Sequence, residues 1–214
     1  MLVLIAGRPQ SRDRFTNRKQ RRTPSSIRHR RRNQSRRPFQ SRGVIDHMKQ
    51  VKAIIREYTE SDREQLCNCF AELQDYERQF EPNRRPGVEL ADKYVSGLLK
   101  HCNKTNGKIL VAIVSNQVVG FSCVFAEEVL DEVLNEPNCK VAYLSDLYVK
   151  QELRGSGLGK QLMVETESYA RKCGATSIML NVLADNQSSR QFYARLGYAD
   201  YELKLTKSLL IEPC

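Results

Sequence analysis

The sequence predicts an α/β fold in which a mixed central sheet is flanked by helices. The first observation is an apolar strand pattern at 141–149, which leads through a glycine-rich turn into a helical pattern at 161–173. The second is a hairpin pattern, because two apolar runs, 109–114 and 118–125, flank the short turn 115–117. Further helical patterns lie between the predicted strands, and this order is typical of an α/β protein.

The elements before the hairpin follow from spacing and from caps. A first strand is predicted over 51–57, and Thr59 or Ser61 can cap the next helix, with Glu64 completing a capping box with Ser61. Apolar residues at helical spacing predict that first helix: Leu66, Cys69 or Phe70, Leu73 and Tyr76. Proline and glycine in 81–87 predict a loop. A second helix then follows, with Leu90, Tyr94, Leu98 and Leu99 on one side.

The elements after the glycine-rich turn complete the predicted sheet. A strand is predicted over 178–182, a short helix follows, and a last strand is expected from about 198 to 205.

The glycine-rich turn predicts a phosphate site. Its residues are Arg154, Gly155, Ser156, Gly157, Leu158, Gly159 and Lys160. Free backbone N–H groups and the positive end of the helix dipole attract phosphate at such a turn. The spacing does not fit a P-loop, because Gln161 follows Gly159-Lys160 where Ser or Thr is needed. It does not fit a dinucleotide fingerprint either, because the third glycine would fall at Lys160.

Four blocks in order resemble one family. Arg154, Gly157 and Gly159 form an Arg-x-x-Gly-x-Gly run, the strand 143–149 precedes it, and the strand 178–182 follows. The ending is similar too, with Asn186, Ser189, Tyr193, Gly197 and Tyr198. The chain thus resembles the GNAT superfamily of acetyl-CoA-dependent N-acetyltransferases. The resemblance implies a GNAT domain over 48–210 with splayed central strands, and acetyl-CoA as co-substrate with no metal.

The resemblance also implies which residues contact acetyl-CoA. The glycine-rich turn would hold the pyrophosphate, and the end of the central strand and Asn186 would hold the pantetheine arm. The complete set is Leu147, Tyr148, Val149, Arg154, Gly155, Ser156, Gly157, Leu158, Gly159, Lys160, Asn186 and Tyr193.

Three residues are candidates for proton transfer. Tyr193 matches the family's general acid, which protonates the departing thiolate. Many relatives place a glutamate base in the central strand, but Ser145 stands at that position here. Asp146 is the neighbouring candidate base, although strand alternation turns it to the other face unless a bulge intervenes. Tyr143 acting through water is the alternative.

The charge distribution separates an N-terminal extension from the domain. Residues 1–47 hold fourteen Lys or Arg and two acids, whereas the remaining residues hold twenty-one basic and twenty-three acidic side chains. This composition predicts a disordered segment. Three interpretations stay open: a leader outside the native protein, whose functional part begins at Met48; an organelle transit segment; or an Arg-rich tail that binds nucleic acid.

The acceptor is predicted to be a primary amine, on a cationic small molecule or as a lysine or N-terminal amine. Five acids without a basic residue follow the hairpin, and they favour a cation: Glu127, Glu128, Asp131, Glu132 and Glu136. Tyr76 and Phe80 are candidates for the acceptor pocket. The predicted reaction is direct attack in a ternary complex, and the alternative is a CoA-binding regulatory module without catalysis.

The remaining features bear on compartment and partners. The seven cysteines form no CxxC pair, so neither a metal site nor a disulfide framework is expected, and this fits a reducing cytoplasm. No stretch approaches the length of a membrane span. A homodimer is compatible with the family, but no segment establishes one.

Overall fold

The computed structural model describes residues 52–130, 138–207 and 209. The basic extension at 1–47, Met48 and the part of the acidic stretch within 131–137 lie outside these residues. The described elements are β1 (Ile54–Glu57), α1 (Arg63–Glu77), α2 (Gly87–Thr105), β2 (Lys108–Val114), β3 (Gln117–Leu130), β4 (Asn138–Val149), α3 (Leu158–Lys172), β5 (Ser177–Leu180) and α4 (Gln187–Arg195). Short 3-10 turns precede α1 (Glu60–Asp62) and α3 (Gln151–Leu153).

The strands form one mixed sheet in the order β1-β2-β3-β4-β5. The three pairs β1–β2, β2–β3 and β3–β4 are antiparallel, and a short turn joins β2 to β3 as a hairpin. Strand β5 runs parallel to β4, and the crossover between them contains α3. The mixed α/β sheet predicted from the sequence is therefore confirmed.

Helices cover both faces of this sheet because the strands alternate their side chains. On one face, Val111 and Phe121 pack with Leu66 of α1 and Leu98 of α2. On the other face, Leu110, Ala112 and Val119 pack with Leu158 and Leu162 of α3. The resulting three-layer arrangement buries the centre of the sheet and fixes the ends of β4 and α3 relative to each other.

The helical turn before α1 is capped by Thr59, one of the two predicted capping residues. The Asp62 carboxylate accepts hydrogen bonds from the N–H (2.8 Å) and the hydroxyl (2.9 Å) of Thr59. The same carboxylate accepts two bonds from the Arg56 guanidinium, at 2.7 and 2.8 Å. Hydrogen bonding to Arg56 holds the pKa of Asp62 well below its usual range. Thr59 thus caps the 3-10 turn that leads into α1, and Asp62 completes the capping box in place of the predicted Ser61 and Glu64 pair.

The predicted last strand is not formed. Residues 199–207 contain neither helix nor strand, although their alternation is that of a strand. A strand forms only when backbone hydrogen bonds are exchanged with a neighbour, and residues 199–207 pair with no described strand. The predicted bounds also change by a few residues elsewhere: α3 begins at Leu158 and β5 ends at Leu180.

Two glycines of α2 give a matched test of how closely α1 and α2 approach. A Cβ on Gly87 would lie 2.2 Å from the carbonyl oxygen of Ala71, whereas a Cβ on Gly97 would meet nothing within 4 Å. We expect Gly87→Ala to lower the free energy of unfolding by about 1–3 kcal/mol through overpacking. Gly97→Ala should raise it by about 0.5–1 kcal/mol, because alanine favours the helix.

Urea unfolding of the two variants beside the parent chain measures both effects. If Gly87→Ala were as stable as Gly97→Ala, the close contact between α1 and α2 would be disproved.

Candidate active site

The central feature of the candidate site is a divergence between β4 and β5. Strand β5 pairs with β4 only over Val141–Leu144. Strand β4 then continues to Val149, and among the described strands only β3 pairs with that second half. The edge of β4 that faces away from β3 is therefore free from residue 145 onwards. This is the splayed arrangement that the resemblance implied.

A bulge in β4 lies where this free edge begins. The register with β3 shifts, since Cys123 is opposite Asp146 while Val124 is opposite Leu144. Ser145 is the extra residue, so the alternation of side chains reverses there. Asp146 consequently points towards α2, where it is buried. From the sequence, a bulge next to Asp146 was required to turn this residue to the candidate site, and the bulge is present.

The Asp146 carboxylate is held by two hydroxyl donors. Tyr94 of α2 donates to both oxygens, at 3.2 and 3.3 Å. The hydroxyl of the neighbouring Ser145 also donates to this carboxylate. Both bonds favour the charged form, but they offset only part of the cost of burying a charge.

Burial dominates the ionisation of Asp146. It raises the pKa of this carboxyl to about 6, although the hydrogen bonds from Ser145 and Tyr94 act to lower it. Among the more distant charges, Glu77 raises the pKa and Arg84 lowers it. A carboxyl with such a pKa is largely ionised at pH 7 but can still accept and release a proton near neutrality.

Tyr193 lies on α4, with its ring in edge contact with two other aromatic rings. The ring centroids of Phe192 and Tyr198 are 5.2 and 5.6 Å from that of Tyr193. Burial raises the pKa of the phenol, and the charges of Asp146 and Glu77 raise it further. The phenol therefore keeps its proton at neutral pH and lies within electrostatic reach of Asp146.

The glycine-rich turn presents backbone donors at the start of α3. Gly155 and Gly157 adopt left-handed conformations, with φ of 80° and 86°, which strain other residues. The first bond into the helix runs from the Gln161 N–H to the Gly157 carbonyl (3.1 Å). The N–H groups of the three preceding residues thus have no acceptor within the helix, and the helix dipole is positive at this end.

Helix α4 packs directly on this turn. The ring of Phe192 lies 3.3 Å from the position that a Cβ on Gly159 would occupy. A larger residue at Gly159 would push α4, and with it Tyr193, away from the turn. Gly159 therefore connects the turn sterically to the helix that carries the candidate acid.

The side chain of Arg154, at the head of the turn, contacts aromatic rings and the end of β4. Its guanidinium lies over the ring of Tyr76 of α1, 4.3 Å from the centroid, and 5.9 Å from that of Tyr148. Its Nε donates to the carbonyl of Val149 (3.2 Å). The side chain thus joins the end of β4 to the end of α1.

The other predicted contact residues are distributed around the divergence. Asn186 is buried and caps α4, accepting a bond from the Ser189 N–H (3.1 Å). Leu147 and Val149 pack towards α3. Tyr148 points to the opposite face and donates to Glu72 of α1.

The alternative base and the candidate pocket residues also have definite positions. Tyr143 accepts a bond from the Asn181 amide (2.7 Å) and is 36% exposed, so it lies nearer the surface than Asp146. Tyr76 and Phe80 are in edge-to-face contact, with centroids 5.5 Å apart. The side chains of Glu127 and Glu128 and the other acids of that stretch lie outside what the structure describes.

Two residues near the site were missed by the sequence analysis. Tyr94 was assigned to an apolar helix face, and nothing local relates it to Asp146, fifty-two positions later. Glu77 forms an ion pair with Arg84 (2.9 Å) and its charge raises the pKa of both Asp146 and Tyr193. Only the packing of α1 and α2 over β4 brings these groups together.

The comparisons with known proteins identify the family. The model of the acetyltransferase (GNAT) family matches residues 53–198. The chain belongs to this family, and the predicted class of enzyme, an acyltransferase dependent on acetyl-CoA, is confirmed at that level.

Individual relatives agree with this assignment. Thialysine N-epsilon-acetyltransferase of Sus scrofa is 28% identical over 151 residues, which cover 70% of this chain and 86% of that protein. The N-acetyltransferase YycN of Bacillus subtilis is 29% identical over 68 residues, which cover 32% of this chain and 44% of YycN. This second match thus spans less than half of the relative.

Solved structures share the fold. A tetramutant protein from Bacillus halodurans superposes with a TM-score of 0.65 at 20% identity, covering 73% of this chain and 99% of that one. Within the residues that the structure describes, no helix has both the length and the apolar character needed to cross a membrane.

The raised pKa of Asp146 predicts that its charge destabilises the fold. The unfolded chain releases this proton near pH 4 and the folded chain near pH 6, so stability falls as pH rises between these values. We expect Asp146→Asn to be more stable than the parent at pH 7, by up to about 3 kcal/mol, and to lose this advantage towards pH 4.

Denaturant unfolding from pH 4 to pH 8 measures this difference. Asp92→Asn is the control, since Asp92 is exposed and pairs with Arg63. A parent chain whose stability relative to Asp146→Asn does not fall between pH 4 and pH 6 would contradict the assigned ionisation.

Proposed function

We propose that this protein transfers an acetyl group from acetyl-CoA to the primary amine of a cationic acceptor, by direct attack in a ternary complex. The observation that carries the proposal is the position of Asp146, which the Ser145 bulge turns into a buried site within electrostatic reach of Tyr193. The reaction needs a base that takes a proton from the amine and an acid that gives one to the sulfur. Asp146 and Tyr193 suit these two roles because one is largely ionised and the other protonated at neutral pH.

The residues present fit acetyl-CoA as the acetyl donor. The N–H groups at the start of α3, together with Lys160, suit a pyrophosphate. The free edge of β4 at Leu147, Tyr148 and Val149 offers backbone groups to an extended arm such as pantetheine. When bound, acetyl-CoA supplies the acetyl group as a thioester.

The proton transfers are assigned to two side chains. The Asp146 carboxylate receives the proton that the amine loses on attack, and the hydroxyls of Tyr94 and Ser145 orient it. The Tyr193 hydroxyl gives its proton to the departing sulfur, which is a thiolate with a pKa near 8.5. The raised pKa of Tyr193 keeps the hydroxyl protonated at neutral pH, but it also makes the transfer to the sulfur uphill, so the step depends on the negative charge that develops on the sulfur.

A cationic acceptor is supported by the acids around the site. Glu72 and Glu77 of α1 lie on the side of β4 that Asp146 faces, and Arg84 neutralises only part of their charge. The relative from Sus scrofa is named for the ε-amine of thialysine, an amine on a flexible side chain. No observation favours a CoA-binding module without catalysis.

The direct test is CoA thiol release from acetyl-CoA by the full chain, with polyamines, aminoglycosides, amino acids and lysine peptides as acceptors. We expect acceptor-dependent release that is strongest with polyvalent cations. Release only with uncharged amines would refute the cationic acceptor, and no release with any amine, despite binding of acetyl-CoA, would refute the transfer.

Tyr193→Phe tests the acid. Removal of the hydroxyl should lower kcat about 100-fold or more, because the sulfur then leaves without a proton donor, while the affinity for acetyl-CoA stays unchanged. Tyr198→Phe is the matched control, since its ring contacts Tyr193 and its hydroxyl donates to Glu167 (3.2 Å). Equal turnover in the two variants would exclude Tyr193 as the acid.

Asp146→Asn tests the base through pH. The parent kcat/KM should rise with pH through about 6, because only the ionised carboxyl accepts a proton. The variant should lose this rise and fall about 100-fold or more at pH 7. Steady-state rates from pH 5 to pH 8 measure both, and an unchanged profile in the variant would assign the rise to another group.

Gly157→Val tests the pyrophosphate site. Valine is strained at φ of 86°, and its side chain would occupy the approach to the N–H groups at the start of α3. The rise in melting temperature caused by CoA should disappear. Gly174→Val imposes the same strain at the other end of α3, at φ of 83°, and should keep that rise. A retained response in Gly157→Val would move the phosphate site elsewhere.

A further inference from the structure

One face of the Tyr76 ring on α1 is covered by a cation. The Arg154 guanidinium lies 4.3 Å from the ring centroid, and the Phe80 ring contacts Tyr76 edge-on, with centroids 5.5 Å apart. An aromatic face attracts a guanidinium through its electron-rich surface. The Tyr76 hydroxyl, by contrast, has no hydrogen-bond partner among the residues that the structure describes. Tyr76 therefore acts through its ring and not through its hydroxyl.

The Arg154 guanidinium is held by further contacts at the end of β4. Its Nε donates to the carbonyl of Val149 (3.2 Å), and the Tyr148 ring centroid lies 5.9 Å away. Tyr148 is in turn fixed by Glu72 of α1, which accepts a hydrogen bond from its hydroxyl. Although Arg154 is an exposed residue, its charged end thus has a defined position. That position depends on α1 through both tyrosine rings.

None of these contacts neutralises the charge of Arg154. A backbone carbonyl and two aromatic rings carry no net charge, and Arg154 forms no ion pair with any described residue. The N–H groups on its two terminal nitrogens likewise have no acceptor within the described part of the chain. A guanidinium that keeps its full charge and presents a planar fork of donors is suited to the oxygens of a phosphate group.

The held guanidinium lies beside the backbone donors of the glycine-rich turn. Val149, whose carbonyl binds Arg154, has a side-chain methyl 3.8 Å from the position of a Cβ on Gly159. The Gly159 N–H is among those at the start of α3 that lack an acceptor within the helix. Val149 therefore contacts both the guanidinium and the turn, so a single pyrophosphate would meet the charge of Arg154 and these N–H groups together.

We propose that Tyr76 is a positioning residue for the pyrophosphate of acetyl-CoA, because its ring holds the Arg154 guanidinium beside the start of α3. A guanidinium that is already held loses less rotamer freedom when the phosphate binds, and the affinity is higher as a result. Tyr76 then belongs to the donor side of the site and not to the acceptor pocket for which the sequence made it a candidate. The proposal rests on the proposed function only for the place of the pyrophosphate, and it is independent of the proton transfers.

Titration calorimetry with CoA and the full chain tests the role of the ring. Tyr76→Leu should raise the Kd for CoA about 3–10-fold, because Arg154 is then free to move. Tyr76→Phe should restore the parent Kd, because it keeps the ring and loses only a hydroxyl without a described partner. A parent Kd in Tyr76→Leu, or an equal weakening in Tyr76→Phe, would overturn the proposal.

Steady-state kinetics separate this role from a contact with the acceptor. In Tyr76→Leu the KM for acetyl-CoA should rise by about the same 3–10-fold while kcat changes little, since the pyrophosphate is bound equally in the ground state and the transition state. The KM for the amine should stay at the parent value. A rise in the KM for the amine, with the KM for acetyl-CoA unchanged, would place Tyr76 in the acceptor pocket and contradict the proposal.

A double-variant cycle tests whether Tyr76 acts through Arg154. Arg154→Ala should weaken CoA binding by itself, and the addition of Tyr76→Leu should cause no further loss, because no guanidinium remains to be held. A further loss as large as that caused by Tyr76→Leu in the parent chain would show that Tyr76 acts independently of Arg154, and the proposal would be wrong.

Arg154→Lys is a second variant that does not depend on the folding of Tyr76→Leu. The melting temperature of each variant without CoA shows whether it is folded, and a change at the exposed Arg154 leaves the packing of α1 intact. Lysine keeps the charge but lacks the planar group and the Nε bond, so the Kd for CoA should rise several-fold. A parent Kd in Arg154→Lys would show that a charge without the stacked guanidinium suffices, and the proposal would fail.

Failure of this proposal and failure of the proposed function are distinguishable, because CoA binding is measured without an acceptor. If Tyr76→Leu weakens CoA binding and Tyr76→Phe does not, the role of Tyr76 stands even where no amine is acetylated. If amines are acetylated while Tyr76→Leu keeps the parent Kd, only the role of Tyr76 is refuted.

Discussion

One inserted residue in β4 controls the arrangement of the site. Ser145 interrupts the alternation of the strand, so Leu144 and Asp146 face opposite sides of the sheet although they are two positions apart. The bulge lies where β5 stops pairing with β4, and the free edge of β4 begins at the same place. The strand therefore supplies a buried carboxyl to one face and open backbone groups to its edge. Without the insertion, Asp146 would point towards α3 and away from Tyr94.

The burial of the Asp146 carboxyl lowers folding stability but brings its pKa closer to neutrality. Burial raises the pKa of Asp146, and the hydrogen bonds from the hydroxyls of Ser145 and Tyr94 lower it in part. The resulting pKa of about 6 lies closer to neutrality than that of an exposed carboxyl. Sites of this kind cost folding free energy, and such a cost is common where a group has to exchange protons.

The glycine-rich turn is tied to the rest of the site through side chains on both of its flanks. Arg154 stacks on Tyr76 and binds the end of β4, while Gly159 leaves space for Phe192 of α4. The turn is thus in direct contact with α1 on one side and with α4 on the other. In the proposed function, α1 contributes to the acceptor side and α4 carries the candidate acid Tyr193. The turn that would bind the pyrophosphate therefore packs against both helices.

The sequence by itself determined the elements of the domain and the family, because hydrophobic periodicity and glycine spacing are local properties of the chain. It predicted β4, the turn and α3 in their order, and it allowed for a bulge before Asp146. It could not identify Tyr94 or Glu77, whose relation to Asp146 arises only when α1 and α2 pack over β4. The last predicted strand was also wrong, since the alternation in 201–205 is a local property, whereas pairing with another strand is decided by the tertiary structure. Tertiary structure alone decided the face of Asp146, the stacking of Arg154 on Tyr76 and the pKa values, because burial and long-range contacts depend on the packed layers.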